Sequence, residues 1–436
     1  MSKRNRPRRF APSAVSVALA AAVLLGLCAP HAAAQRAKPA AAVNPKTAAV
    51  REATAEVLRE TSEIRKLPIL RPVRSGAQSR AEIEQMLVRN LDENSSPAEL
   101  RASETSLKKF GLVPADFALR SFIINLLSEQ VAGYYEPKTR EFYLADWIDL
   151  DGQQPVMAHE LTHALQDQHF NLRRFEDWPK HDSDAQLAAQ SLVEGDATLL
   201  MMHYVVRSPM RQLSMLKAIA TGGAGSTEQI DKAPRVMRET LVFPYTQGMM
   251  WAAQVYKRGG WELISKAYAD LPKSTEQILH PEKYFAREEP LKNIALKDFS
   301  STLGKGWKVA DNDVNGEWGY FMILDQFLQS KQESEKAVAG WNGDRYFLYT
   351  GPSKGDVLIA QKTFWDTEED AREFFAAYEK RTNKRYAVEP AETSQADRRV
   401  WQTAEGSVLV ELSGKSVLIL EGVPANVKAE ALLKAL

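Results

Sequence analysis

Two histidines and a glutamate within one short segment carry the clearest chemical signal in the sequence. The segment 156–165 reads Val-Met-Ala-His-Glu-Leu-Thr-His-Ala-Leu, in which His159 and His163 are four residues apart. Because an α-helix turns once in about 3.6 residues, both imidazoles would leave the same helix face and bind one Zn²⁺. Glu160 would then reach a water molecule beside the metal and act as a general base.

A catalytic zinc site needs a third protein ligand, and the sequence offers two candidates. Glu194 interrupts a helical stretch of apolar and small residues, where an unpaired carboxylate would be costly unless a metal compensated it. His169 follows His163 by six residues, but residues 164–167 favour a continuing helix. On that helix His169 would lie about 240° round from His163 and face away from the metal. The sequence therefore favours His159, His163 and Glu194 as zinc ligands.

The segment 156–165 resembles the active-site helix of zincin metallopeptidases, and Glu194 resembles the third ligand of their gluzincin branch. The resemblance is specific over about residues 131–200. It implies zinc-dependent hydrolysis of peptide bonds with Glu160 as general base, and a β-strand beside the helix whose edge binds the substrate peptide. A hairpin at 131–145 would supply that edge, since an exposed strand edge offers unpaired N–H and C=O groups.

The zincin resemblance leaves two roles open. A metzincin-like peptidase would use His169 as its third ligand, but the metzincin pattern has a Gly where this chain has Gln166. Zincins commonly use a His or a Tyr to stabilise the oxyanion of the tetrahedral intermediate, and His280 and Tyr245 are the candidates for that role.

Two aspartates are candidates for orienting a ligand histidine. In the best-known gluzincin arrangement an acidic residue follows the ligand glutamate by four positions, but here that position is Thr198. Asp196, two residues after the glutamate, and Asp167, one turn after the second histidine, are the alternatives. His181, in a polar loop, and His203, on the opposite helix face from the ligands, are expected to be structural.

Several helices and one hairpin must position these residues. The patterns predict helices at 47–66, 80–92, 97–109, 116–130, 155–168 and 184–206, then a mainly helical region over 212–291. Ser79 and Ser96 are expected N-caps, the second in a capping box with Glu99. Residues 131–136 and 141–145 alternate with period two around a Pro-Lys-Thr-Arg turn, which predicts the β-hairpin.

The residue pattern changes near residue 300, from mainly helical to mainly strand-like. The patterns predict strands at 345–350, 357–364, 398–403, 407–412 and 416–421, and a helix at 367–382 with Asp366 and Glu369 in a capping box. We therefore predict an α+β fold. It would comprise a mainly helical zincin-like metallopeptidase domain (71–295), with a β-hairpin before the active-site helix, and a C-terminal α+β domain with an antiparallel sheet (296–436).

The first 34 residues have the pattern of a secretory signal peptide. Five basic residues precede an apolar run over about 14–28, and small residues then lead to a cleavage site near Ala34. The apolar run is shorter than the roughly 20 residues of a membrane span, and no later stretch qualifies as one. Cys28 follows the bulky Leu27, where a lipoprotein signal has a small residue, so lipid attachment is not expected. Residues 35–70 would be a leader and a helix.

Composition narrows the class of protein. The 436 residues include 56 Lys+Arg, 56 Asp+Glu, seven His and one Cys. The charge balance argues against a nucleic-acid partner, and one Cys excludes a disulfide framework or a Cys-cluster metal site. Removing the basic leader would leave a Cys-free chain with five more acidic than basic residues. We expect a secreted or periplasmic zinc metallopeptidase acting on peptides or proteins; the alternative is a non-catalytic cell-envelope protein with a structural zinc site, closed by four protein ligands.

Overall fold

The protein has an α+β fold in the computed structural model. The structure describes residues 46–435 apart from 148–149, 151, 176–178, 180, 221–231, 292 and 392–393. The predicted signal peptide and most of the predicted leader therefore lie outside the described residues. No helix in the described part is long and apolar enough to cross a membrane.

The N-terminal two thirds of the chain is mainly helical. Its elements are α1 (Thr47–Arg65), β1 (Arg74–Gln78), α2 (Arg80–Asn94), α3 (Pro97–Phe110), α4 (Leu119–Gln130), β2 (Gly133–Glu136), β3 (Glu141–Ala145), α5 (Gln154–Phe170), α6 (Ser183–Val206), α7 (Pro209–Ala220), α8 (Arg235–Ala267), α9 (Thr275–Leu279) and α10 (Pro281–Ala286).

The C-terminal third is dominated by strands. Its elements are α11 (Ser300–Leu303), β4 (Lys308–Asp313), α12 (Gly316–Leu328), α13 (Lys331–Val338), β5 (Trp341–Thr350), β6 (Val357–Trp365), α14 (Glu368–Tyr386), β7 (Arg398–Thr403), β8 (Gly406–Ser413), β9 (Ser416–Val423) and α15 (Ala429–Ala435). The six strands form one sheet in the order β4-β5-β6-β9-β8-β7, and every neighbouring pair is antiparallel.

A small three-stranded sheet lies beside the helix that carries the HExxH segment. Its order is β1-β3-β2, with β1 parallel to β3 and β2 antiparallel to β3 in the predicted hairpin. β2 is thus an edge strand. The hairpin was predicted because its two strands are neighbours in sequence; β1 was not predicted, since it pairs with a strand more than sixty residues away.

Hydrophobic packing does not follow the predicted domain boundaries. One cluster joins α1 to α5, α6, α8 and β3, so the helix assigned to the 35–70 leader shares the core of the HExxH helix. Another cluster joins α2–α4 to α12, α14 and the inner face of the large sheet. The predicted boundary at residues 295–296 therefore does not separate two independent cores.

Helix caps account for two differences between predicted and observed helix starts. Both predicted serine caps are confirmed, and Ser79 also forms a capping box with Glu82. The helix predicted from 116 begins at Leu119, because its first amide donates to the Glu104 carboxylate of α3 at 3.0 Å. The box predicted at Asp366 and Glu369 is wrong by one position. Thr367 and Asp370 form it instead, while Asp366 accepts from Lys283 at 2.7 Å.

Two glycines let α6 and α8 cross at backbone contact. A Cβ atom added to Gly195 would lie 2.2 Å from the carbonyl oxygen of Gly248, and one added to Gly248 would lie 2.3 Å from the carbonyl of Ser191. Both distances are far inside van der Waals contact. Gly195 therefore packs against α8. This crossing fixes how α8 approaches the neighbouring Glu194.

We expect Gly195→Ala to lower the free energy of unfolding by about 1–3 kcal/mol or more, because the new methyl group cannot be accommodated without separating two backbones. Chemical denaturation monitored by circular dichroism would measure the change. Gly355→Ala is the matched control, since nothing lies within 4 Å of the Cβ position there. Equal stability of the two variants would contradict the inferred crossing.

Candidate metal centre

Three side-chain atoms from two helices converge on one point. His159 and His163 leave the same face of α5, and their Nε2 atoms lie 3.2 Å apart. Glu194 of α6 places Oε2 at 3.1 Å from His159 Nε2 and 3.4 Å from His163 Nε2. Ligand atoms about 2.0–2.1 Å from a tetrahedral zinc lie about 3.3 Å apart, so this triangle has the dimensions of a zinc site.

The donor set suits a cation. Within the described ranges this is the one group of three or more His, Cys, Asp and Glu side chains placed to hold a metal ion. Glu194 has no exposed surface, and its Oε1 atom has no hydrogen-bond partner among the described residues. A buried carboxylate with an unpaired oxygen is costly, and a metal ion beside it would remove that cost.

The electrostatics of the pocket also require positive charge. Burial alone would raise the pKa of Glu194, but the neighbouring His163 and His159 outweigh burial and lower it. Burial alone would lower the pKa of His163, yet the Glu194 carboxylate raises it to about 9. A proton is therefore held between these side chains at neutral pH, in the place that a metal ion would take.

Gln166 fixes the orientation and the tautomer of His163. Its Nε2 donates to the carbonyl of Val193 at 3.0 Å and to Asp196 Oδ2 at 3.0 Å, so its Oε1 must face His163 Nδ1, 2.8 Å away. Because a carbonyl oxygen only accepts, His163 Nδ1 keeps its hydrogen, and once His163 is neutral its Nε2 presents a lone pair to the cluster. The residue that departs from the metzincin pattern is thus the one that orients His163.

Gln166 contacts a buried ion pair between Arg65 and Asp196. Asp196 accepts from Arg65 Nε at 2.6 Å and from Tyr268 Oη at 2.9 Å, and neither Arg65 nor Asp196 has exposed surface. Arg65 also stacks over Trp261, 5.0 Å from the ring centroid. Asp196 had been a candidate for orienting a ligand histidine directly. It acts one residue further away, through Gln166.

Glu160 lies beside the cluster and contacts the edge strand. Its Oε2 accepts from the amide of Tyr135 in β2 at 3.0 Å, so that amide points away from β3 and toward the HExxH helix. Glu160 is partly exposed, whereas both histidines and Glu194 are buried. Burial of the carboxylate raises its pKa, and the neighbouring histidines partly offset the rise. A raised pKa suits a group that must take up and release a proton.

Of the two predicted oxyanion residues, the structure brings Tyr245 to the cluster. Its ring stacks on His159 with 5.7 Å between centroids. Burial, followed by the charges of Glu194 and Glu160, raises the pKa of Tyr245 well above its ordinary value, so its hydroxyl stays protonated. His280 instead contacts Glu317, 2.9 Å from Nε2 to Oε1, and Glu282.

The remaining predicted candidates have partners away from the cluster. His169 donates to the carbonyl of Pro68 at 2.8 Å. It faces away from the metal cluster, as a continuing helix led us to predict. Asp167 accepts from Tyr135 Oη and Arg71 rather than from a ligand histidine. Two further histidines have structural surroundings: His181 contacts the carbonyl of Asn312, and His203 packs on Tyr256 and Trp261.

Comparison with known proteins is informative for the C-terminal part alone. A family model described as a domain of unknown function (DUF8575) matches residues 305–432. That segment contains the six-stranded sheet and none of the cluster residues. Neither the curated proteins nor the solved structures include a significant match to the chain.

We expect Gln166→Met to weaken zinc binding about 10–100-fold, because His163 loses the acceptor that fixes its tautomer. Competition titration against a chromophoric chelator would measure the affinity. Gln85→Met, at an exposed position of α2, is the matched control and should bind zinc like the unaltered protein. Unchanged affinity in Gln166→Met would show that the Gln166 contact does not prepare the ligand.

Zinc uptake should release close to one proton at pH 7. His163, with a pKa of about 9, is protonated there in the metal-free protein and must lose its proton to bind metal. Apparent affinity should therefore rise with pH up to about 9 and then level off. Calorimetry in buffers of different ionisation enthalpy counts the protons. Binding without proton release would contradict a protonated His163 in the metal-free protein.

Proposed function

We propose that this chain is a zinc-dependent metallopeptidase of gluzincin-like zincin type, with His159, His163 and Glu194 as the metal ligands. The observation that carries the proposal is the convergence of three ligand atoms, 3.1–3.4 Å apart, around one point in a buried pocket. The HExxH segment alone does not require a buried pocket or a carboxylate at this point, because the third ligand lies on a separate helix.

Glu160 is the proposed general base. It is bonded to neither histidine, it is partly exposed, and it lies next to His159 in the chain. It would take a proton from the attacking water and pass it to the leaving amine. Zinc in the pocket would polarise the scissile carbonyl and lower the pKa of water. Tyr245, kept protonated by its surroundings, would donate a hydrogen bond to the oxyanion.

The proposed substrate is an extended peptide that lies along β2. β2 is the edge of its sheet, and the amide of Tyr135 on that edge donates to Glu160, so a peptide that pairs there must replace the Glu160 bond. A peptide strand added there would place its carbonyl groups beside the cluster. The N-terminal segment, with its signal-peptide pattern, supports action outside the cytoplasm on peptides or proteins.

One observation favours a second candidate, a non-catalytic envelope protein with a structural zinc site. All three ligands are nearly inaccessible, with exposed fractions of 7 % for His159, 6 % for His163 and 0 % for Glu194. Structural zinc sites are closed and buried, but they use four protein ligands. The described residues supply three, which supports the catalytic reading.

Metal analysis combined with a peptidase assay on a quenched-fluorescence peptide library and a denatured protein separates the two functions. We expect Glu160→Gln to retain about one zinc per chain and to lose kcat about 10²–10⁴-fold, because only the base is removed. Glu194→Ala should lose zinc. Glu262→Gln, at an exposed position on α8, should match the unaltered protein in both measurements.

Each alternative function predicts a different result in these measurements. Full zinc occupancy in Glu194→Ala would refute the third ligand, and loss of zinc in His169→Ala would support the metzincin-like alternative. Zinc binding without activity on any substrate would favour the structural site. His280→Ala and Tyr245→Phe, compared in kcat at full zinc occupancy, decide which residue supports the oxyanion.

A further inference from the structure

A partly enclosed cavity of about 110 Å³ lies where the metal-carrying helices meet the C-terminal part of the chain. The beginnings of α6 and α8 form one side of it, and α3 and α12 form the other. No residue of the metal cluster lines the cavity, so it is separate from the proposed active centre and independent of the proposed function.

The cavity wall is mostly apolar. Leu187, Val236, Met322 and Ile323 contribute aliphatic surface. Trp318 contributes its indole ring, whose N–H already donates to Thr240 Oγ1 at 3.1 Å. Such a wall favours an occupant with a hydrophobic body. An engineered cavity of about 150 Å³ with similar lining binds benzene, so an occupant of about five or six non-hydrogen atoms fits the space.

The two acidic residues in the wall do not offer free charge. Asp184 accepts from the amide of Thr275 with both of its oxygens, at 3.1 Å, and from the Thr275 hydroxyl. Asp313 accepts from the amides of Ser183 at 2.8 Å and Val314 at 2.9 Å. Burial raises the pKa of Asp184 well above its ordinary value, which disfavours its charged form, and the oxygens of both aspartates are already engaged. Neither residue favours a charged occupant. The occupant is therefore neutral.

One polar group in the wall lacks a partner. Gln190 is 5 % exposed, and its Nε2 atom makes no hydrogen bond to any described residue. A buried N–H group without an acceptor is destabilising, because it has lost its bonds to water without replacement. An oxygen acceptor on the occupant would remove that cost and would orient the molecule in the cavity.

We propose that this cavity is a binding site for a small neutral molecule with an apolar body and one carbonyl or hydroxyl oxygen, which accepts from Gln190. Gln190 precedes the proposed metal ligand Glu194 by one helical turn on α6. α8 runs in the same direction alongside, from the cavity wall at Val236 to the Gly248 crossing. The site thus occupies the joint between the metal-carrying helices and the segment matched by DUF8575.

The test measures the binding of two probes, cyclopentanone and cyclopentane, which are nearly equal in size and differ in the acceptor oxygen. Ligand-observed NMR titration of the full chain should show saturable binding of both. Gln190→Met, which keeps the side-chain length but removes the amide, should weaken cyclopentanone binding at least tenfold and leave cyclopentane unchanged. Leu187→Phe, which puts a larger side chain in the cavity wall, should abolish binding of both probes.

Leu213→Phe is the matched control, because Leu213 is 60 % exposed on α7 and remote from the cavity lining. It should bind both probes like the unaltered protein. Binding that survives Leu187→Phe, or an equal effect of Gln190→Met on both probes, would overturn the proposal, as would the absence of binding to the unaltered chain. If Leu187→Phe fails to fold, the contrast between the two probes in Gln190→Met still decides.

Discussion

Glu194 has no exposed surface, and the arrangement around the candidate site follows from the burial of its carboxylate. A buried negative charge is tolerated when positive charge and hydrogen-bond donors surround it. Two imidazoles from α5 face the carboxylate, and Tyr245 from α8 closes the third side. The close crossing at Gly195 and Gly248 is what lets α8 come near enough to do so. The packing of α8 against α6 is therefore also what brings Tyr245 to the buried charge.

A second buried charge, Asp196, connects that site to the rest of the helical region. Arg65 neutralises it from α1, Tyr268 donates to it from just beyond α8, and Gln166 donates to it from α5. Removing one partner of such a pair typically costs about 3–5 kcal/mol, because the other charge stays buried and unpaired. The position of His163 is consequently set by residues from four parts of the chain, and none of them touches the cluster except Gln166.

Local features were predictable from the sequence, and long-range contacts were not. The spacing of His159 and His163 defines one helix face, and Glu194 was identified by its apolar surroundings. Both inferences need only helical geometry. Gln166 was considered only as a departure from a glycine, although it lies three residues after His163 on the same face. Its role depends on Asp196, whose own partner Arg65 is 131 residues away. The parallel strand β1 and the shared cores likewise depend on contacts that no local pattern records.

The place of α1 in the helical core has a consequence for how the chain matures. The helix packs against α5 and α6, and its last residue, Arg65, holds the buried charge of Asp196. A protease that trimmed the N-terminus beyond Thr47 would remove core side chains and leave that charge without a counterion. Any N-terminal processing that leaves a stable chain must therefore end before α1. A recombinant chain intended for metal analysis should begin ahead of this helix, even though the proposed metal ligands lie about a hundred residues further on.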